Sequence, residues 1–374
     1  MSSTTTKRLF QAHATVKLAS IDTYVEPFIE ALASHDMIVS KRGTLQDLES
    51  PFGKATFEPF EDGFKLTAEA DDPSSLNRLK HALVGPICFI ASREKLDIDW
   101  VGDYAEPALP DDLRFLHVVS INDISPTFRR IVFHGENLER YDRDDQLHCR
   151  LIFQPRGIGN PVWPRLDHRG HVVWPPEGAV PTRVYTIRGI DVSKGQIIID
   201  FALHENPGPA TRWALAAQIG DLVGILGPAA NGPKPAKFYV LAGDETALPG
   251  IARILETLDD DATGIAFIEI ATAEDELPLQ KPKGMTMRWL HRQDAAPATT
   301  TLLPDAVRSV AWPENRDEPF FWGGCEHKTF AKIYRHLRRE IGLPKERMIF
   351  YSHWNKSLSE EDIIARGSSE YLPE

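Results

Sequence analysis

Between Leu241 and Gly250 the chain reads Leu-Ala-Gly-Asp-Glu-Thr-Ala-Leu-Pro-Gly. An apolar run from Phe238 to Ala242 leads into this stretch, and Ile251, Ile254, Leu255 and Leu258 follow it at helical spacing. Strand, glycine-bearing turn and helix form the local arrangement that open α/β sheets use to hold a phosphate. Glycine lets the backbone come close to an anion, and the first turn of the helix presents N–H groups with no partner inside the helix.

Upstream, Arg183-Val-Tyr-Thr-Ile-Arg188 has strand character. Alternation puts Arg183 and Tyr185 on one face and Thr186 on the other. A flavin needs an aromatic platform, a hydroxyl or N–H near its redox-active nitrogen, and a cation for its phosphates. R-x-Y-T offers all three within four residues. Taken alone, the same pattern also describes an edge strand with a surface arginine and a half-buried tyrosine. Asp200-Phe-Ala-Leu-His204 then ends a strand, and Gly208-Pro-Ala-Thr-Arg-Trp213 starts a helix. Pro209 suits the first helical position and Thr211 adds a hydroxyl there. This second helix start is either another anion site or a plain capped helix.

The four segments, in this order, resemble the siderophore-interacting protein family, flavin-dependent ferric-siderophore reductases of ferredoxin-reductase-like architecture. The resemblance spans about Leu113 to Asp362. It implies FAD held by Arg183 and Tyr185, with Thr186 near the reactive ring and His204, Gly208 and Thr211 by the ribityl and diphosphate. It also implies a nicotinamide-nucleotide site lined by Gly243, Asp244, Glu245 and Thr246, with Glu269 meeting a ribose hydroxyl. The charges of Asp244 and Glu245 oppose phosphate, so backbone amides and Thr246 are expected to bind the anion. The two carboxylates are left to cap the helix or meet ribose. Phe321-Trp-Gly-Gly-Cys-Glu326 matches the family's late strand and turn facing the nicotinamide, which makes Cys325 and Glu326 contact candidates. The family's closing Gly-Tyr-Trp-Arg is replaced by Ser352-His-Trp-Asn355, with Lys356 as the nearest basic residue.

These residues require three supports. Residues 1–105 read as a small α+β domain of unknown role, with strands near Ala12–Leu18, Lys54–Phe57, Phe64–Ala70 and Leu96–Val101. Its helices run near Val25–Leu32 and from Leu76 to about Ile90. Residues 111–230 read as a six-stranded antiparallel FAD-binding β-barrel, interrupted by a long Pro-, Gly-, Trp- and His-rich loop from Gln154 to Pro181. Residues 236–374 read as a doubly wound parallel-sheet NAD(P)-binding domain. A His–Lys pair of the N-terminal region, His35 and Lys41, resembles a motif of a small domain sometimes fused to such reductases, and His13, His35 and His81 are candidates for a cluster.

The net charge of −12, with a pI near 5.6, excludes non-specific nucleic-acid or anionic-membrane binding as the main activity. No apolar run reaches the ~20 residues that span a bilayer, so a cytoplasmic protein without membrane insertion is expected, as a monomer or weak homodimer. The three cysteines Cys88, Cys149 and Cys325 are too few for an iron–sulfur cluster, which takes about four thiolates, and no metal-ligand spacing is present. The expected reaction passes electrons from NAD(P)H through FAD to a ferric siderophore. Two alternatives stay open: an NAD(P)H–flavin oxidoreductase with another acceptor, such as a quinone or free flavin, and a non-redox siderophore-binding module. Lys328, Lys332, Arg335 and Arg339 form a basic helical stripe, either a solvated face or an attractor for an anionic siderophore or a 2′-phosphate, and Arg292 is the other 2′-phosphate candidate.

Overall fold

A computed structural model of the chain describes residues 9–34, 37–94, 96–103, 108–156, 159–204, 208–293 and 295–356. The chain forms two compact units, Met1–Leu113 with Ile158–Val180, and Arg114–Gly157 with Pro181–Glu374.

The first unit is a six-stranded antiparallel sheet with two helices. Its strands are β1 (Phe10–Lys17), β2 (Ile38–Arg42), β3 (Leu45–Ser50), β4 (Gly53–Phe60), β5 (Gly63–Ala70) and β6 (Val101–Gly102), in the order β2-β3-β4-β5-β1-β6. Alternation along β1 buries Ala12, Ala14 and Val16 and exposes Gln11, His13, Thr15 and Lys17, so one face of the sheet meets the core and the other is polar. The helices α1 (Val25–Ser34) and α2 (Pro73–Ile90) complete the core, where Phe28, Phe57 and Phe64 pack with ring centroids 5.1–6.2 Å apart. Asp72 starts α2 by accepting from Ser75 N at 3.0 Å, with Pro73 at the first helical position.

Two expectations for this unit need correction. The stretch Leu96–Val101 is not a strand: only Val101 and Gly102 pair with β1, and Leu96 and Trp100 pack against the core from irregular backbone. The hairpin β2–β3 was not anticipated, because its apolar residues do not alternate and Ile38 is 71% exposed.

The second unit begins with β7 (Arg114–Ser125), β8 (Phe128–Gly135) and β9 (Gln146–Phe153). The loop that follows β9 carries a two-residue pair, β10 (Arg165–Leu166) with β11 (Val172–Val173), which belongs to the first unit. The antiparallel sheet then continues with β12 (Thr182–Thr186), β13 (Gly189–Asp191), β14 (Gln196–Ala202), α3 (Pro209–Ala216) and β15 (Leu222–Asn231), in the order β12-β9-β15-β7-β8-β14-β13. Six strands were expected; the seventh, β13, is a three-residue hairpin partner of β14. The sheet curls so that Tyr185 of β12 lies 4.5 Å, ring to ring, from Phe201 of β14.

The remaining strands, β16 (Phe238–Gly243), β17 (Thr263–Ile270), β18 (Met285–His291), β19 (Pro319–Glu326) and β20 (Met348–Trp354), form a parallel sheet in the order β18-β17-β16-β19-β20. Tyr239 and Leu241 of β16 face one core with α4 (Leu248–Thr257), while Val240 and Ala242 face the other with α5 (Leu302–Arg308) and α6 (His327–Arg335). Helices on both faces make this sheet doubly wound. Helix α6 runs on through a π-helical turn, His336–Ile341, and stops at Gly342 with φ 74°.

Candidate functional site

Strand β12 is the outermost strand of the barrel sheet and, among the described residues, pairs only with β9. The half-buried Tyr185 rests on Phe201 and, at 6.5 Å, on Phe153. Arg183 is half-buried beside it and donates from Nη1 to the carbonyl of Thr182 at 2.7 Å. Thr186, on the opposite face, is buried and stands directly across from His148 of β9.

The start of α3 is anchored to the same aromatic cluster. Trp213 packs 5.1 Å from Phe153 and 6.2 Å from Phe201. Gly208 stands at the cap of this helix, and among the described residues no side chain closes the helix start. At φ −68° any residue fits its backbone, and among the described residues no heavy atom lies within 4 Å of where a Cβ would sit. Among the described residues nothing requires glycine there, which leaves room for an anion to approach the amides of Ala210 and Thr211. Thr211 lies buried in the first turn, and His204 is exposed at the end of its strand, while residues 205–207 lie outside the described part. Tyr185 of β12 and Trp213 of α3 thus share contacts with Phe153 and Phe201, and a cation, an aromatic platform and a helix start on these two elements fit FAD.

The turn after β16 is closed rather than open. A Cβ on Gly243 would lie 2.7 Å from the carbonyl of Gly324, so the neighbouring strand requires glycine there. Asp244 is buried and accepts four bonds: Thr246 N (2.9 Å) and Thr246 Oγ1 (2.5 Å) on Oδ1, Glu326 N (3.0 Å) and Trp354 Nε1 (2.8 Å) on Oδ2. Glu245 is in a buried ion pair with Arg292, whose Nη1 is 3.8 Å from Glu269. Glu269 accepts from Thr300 Oγ1 (3.2 Å) and from Leu303 N (3.3 Å) in the first turn of α5. Glu326 caps α6 by accepting from Lys328 N (2.7 Å) and Thr329 N (3.3 Å).

Burial governs the titration of this edge. It pushes Glu245 up to about 7, against the pull of the Arg292 guanidinium. It raises Glu269 too. The Cys325 thiol is raised first by burial and then by the charges of Asp244, Glu326 and Glu269. Cys325 lies in the apolar core under α5 and α6 as a protonated packing group. Arg292 faces carboxylates, and Lys328, Lys332, Arg335 and Arg339 are exposed on α6 and its continuation.

Two histidines that the sequence did not single out as site residues join the halves. His148 and His353 are 5.8 Å apart, ring to ring, and His353 Nδ1 is 3.0 Å from Thr246 Oγ1. The Thr246 hydroxyl gives its proton to the Asp244 carboxylate, which can only accept. His353 Nδ1 must then donate to Thr246, leaving Nε2 as a bare lone pair, and Nε2 has no partner among the described residues. Both ring nitrogens of His148 likewise lack partners, and burial holds its pKa down at about 3. Thr186, His148, His353 and Thr246 thus form a line from the flavin-type strand to the nucleotide-type turn. The signal for His353 was its place in the altered Ser352-His-Trp-Asn355 tail. His148 had none, because a histidine in an apolar strand reads as filler.

Two members of the proposed N-terminal cluster are described, and they lie on different elements. His13 lies on the exposed face of β1, His81 is on α2 bonded to the carbonyl of Gly170 at 2.8 Å, and His35 lies outside the described residues. Lys41 is exposed on β2. Among the described residues, no group of three or more His, Cys, Asp and Glu is placed to hold a metal ion.

An antiparallel FAD-type barrel followed by a parallel nucleotide-type sheet defines the ferredoxin-reductase-like class. Comparison with known proteins narrows it. Residues 117–232 match the Siderophore-interacting FAD-binding domain, residues 236–357 match Siderophore-interacting protein, and residues 13–101 match a family described as Uncharacterized protein conserved in bacteria (DUF2218). Among solved structures, a siderophore utilization protein from T. fusca is 34% identical with a TM-score of 0.60, over 69% of this chain and 98% of that one. The ferric vibriobactin reductase ViuB of Vibrio cholerae is 28% identical over 66% of this chain and 91% of its own length. The NADPH-dependent ferric-chelate reductase of Escherichia coli is 29% identical over 66% of this chain and 94% of its own length. The chain belongs to the siderophore-interacting protein family.

Proposed function

We propose that this protein is an NAD(P)H-dependent ferric-siderophore reductase that releases Fe(II) for iron acquisition. Gly208 supports this reading most directly: among the described residues nothing requires its glycine, and a diphosphate at the start of α3 would use the space. FAD, when bound, supplies the link between a two-electron hydride donor and a one-electron acceptor. Arg183 provides positive charge for its phosphates, Tyr185 a platform, Thr186 a hydroxyl on the face turned to His148, and α3 its free amides. The turn after β16 lines the nicotinamide-nucleotide side: Asp244 holds it in shape, and the amides of Asp244, Thr246, Ala247 and Leu248 donate within the protein, so the nucleotide meets the shape of the turn rather than free N–H groups. Glu245, Glu269 and Glu326 spend their oxygens on Arg292, α5 and α6, so they act on the nucleotide through the shape of the site. Hard oxygen donors that grip Fe(III) hold Fe(II) far less well, so reduction alone frees the metal from the siderophore.

We place the reaction in the cytoplasm. No described helix is long and apolar enough to cross a membrane.

The test is anaerobic. The FAD-loaded protein is reduced with NADH and with NADPH, then mixed with ferric siderophores and an Fe(II) chelator. Flavin reoxidation matched by chelated Fe(II) supports the proposal. Reoxidation by quinone or free flavin, with no Fe(II), replaces it with the other-acceptor reading.

A further inference from the structure

The segment from Gly159 to Val180 belongs by chain to the barrel, between β9 and β12, and by contact to the N-terminal unit. We propose that the N-terminal unit is an intramolecular clamp: by gripping this strap through one face of α2, it holds the flavin-type strand β12 ready for FAD.

The grip is built from buried polar groups at helical spacing. Asn77, Lys80 and His81 lie on one face of α2. Asn77 is fully buried and donates to the carbonyl of Leu166 at 3.4 Å. Lys80, 2% exposed, donates to the carbonyls of His168 and Asp103, each at 3.5 Å, and its ammonium lies 5.6 Å from the Trp100 ring. A buried ammonium needs such acceptors, and one of them belongs to the strap. His81 Nδ1 is bonded to the carbonyl of Gly170.

The strap is shaped to match. Gly170 has φ +85°, and a Cβ there would lie 2.6 Å from the backbone nitrogen of His81, so backbone lies directly on backbone. Asp167 Oδ1 accepts from Arg169 N and His171 N and fixes the turn that presents Gly170. Arg169 reaches Asp97 at 3.2 Å and Asp99 at 2.7 Å. Leu166 is fully buried and donates from its N to the carbonyl of Ala108 at 2.7 Å.

The link to function is through the chain. Strand β12 starts at Thr182, two residues beyond the strap, and, among the described residues, is paired on one side only. A long free loop before a one-sided strand lets its first residues fray, and Arg183 is the second of them. Anchoring the strap in the first unit leaves Pro181 as the one residue between it and β12. The inference rests on the reading of Arg183 as an FAD ligand.

The test uses the full chain as apoprotein, with two readouts: tryptic cleavage at Arg165 and Arg169, and FAD affinity by titration of flavin fluorescence. Gly170→Val cannot lie on α2. We expect its strap to be cut at least tenfold faster and FAD to bind about tenfold more weakly. The paired change Asn77→Ala with His81→Ala gives a milder version of both effects, should Gly170→Val fail to fold. A strap that is released while FAD affinity stays within twofold of the parent overturns the clamp. So does a strap that remains protected in both variants. Arg183→Ala is run alongside: if it keeps FAD, the reading of β12 fails; if it loses FAD while strap release has no effect, only the clamp fails.

Discussion

The start of α3 and the carboxyl edge of the parallel sheet are both candidate anion sites, built in opposite ways. At α3, among the described residues, no side chain caps the helix start, and space surrounds Gly208. At the sheet edge Asp244, Glu245, Glu269 and Glu326 are all buried and all engaged by the protein's own donors. The first site leaves room for a ligand, while the carboxylates of the second are engaged without one. This difference suits a resident cofactor on the barrel and a nucleotide that arrives and leaves. Amides at an open helix start gain partners when a diphosphate binds, whereas engaged carboxylates offer an incoming nucleotide little; at that edge Arg292 Nε, Arg292 Nη1 and His353 Nε2 lack hydrogen-bond partners among the described residues.

The strongest way to break the contrast is Asp244→Ala. It orphans four donors at a buried position and is expected to cost about 3 kcal/mol of stability. Denaturant unfolding measures this, and a loss below about 1 kcal/mol would show that the edge is not self-supporting. Arg183→Ala is expected to leave unfolding unchanged and weaken FAD binding by about 2 kcal/mol, roughly 30-fold, by titration of the apoprotein.

The link between the halves should respond to pH. The ordinary histidine pKa is near 6.5, and in the folded protein burial holds His148 at about 3. The folded form therefore resists the proton. The stability from His148 is fully present above pH 6.5 and is lost as pH falls towards 3, by about 1.4 kcal/mol per pH unit. His148→Phe keeps an aromatic ring beside Trp322 and should flatten that part of the profile between pH 6.5 and 5, measured as urea midpoints. A variant with the parent's slope would place the titration elsewhere.

The smallest change is Gly208→Ala. Its backbone angles and open surroundings accept a methyl group, so folding stability should hold or rise by about 0.5 kcal/mol. FAD should nevertheless bind about tenfold more weakly, or about 1.4 kcal/mol. Unchanged affinity would remove the diphosphate from the start of α3.

The barrel and the parallel sheet were legible because their signals are local. Gly243 is followed by the apolar face of α4, and β7, β8, β9 and β14 read as β-rich runs separated by turn residues. The hairpin β2–β3 was hidden because a mostly exposed edge carries no burial pattern. The uses of Glu269 and Glu326 were hidden for another reason. Their partners, Leu303 N and Lys328 N, are backbone amides, which look alike in every sequence. Arg292 was read as a phosphate ligand because spacing shows a charge but not the carboxylate that folds against it. The loop from Gln154 to Pro181 was marked by its length and composition, but its partners on α2 lie 88 or 89 residues earlier.

The strap has a consequence for synthesis on the ribosome. The N-terminal unit is discontinuous in the chain, so α2 emerges while Gly159–Val180 does not yet exist. Until those residues appear, on the order of seconds later at ordinary elongation rates, the Lys80 ammonium lacks one of its acceptors. The domain made first is completed only after β7, β8 and β9 have followed it out, which ties the maturation of the N-terminal unit to that of the barrel.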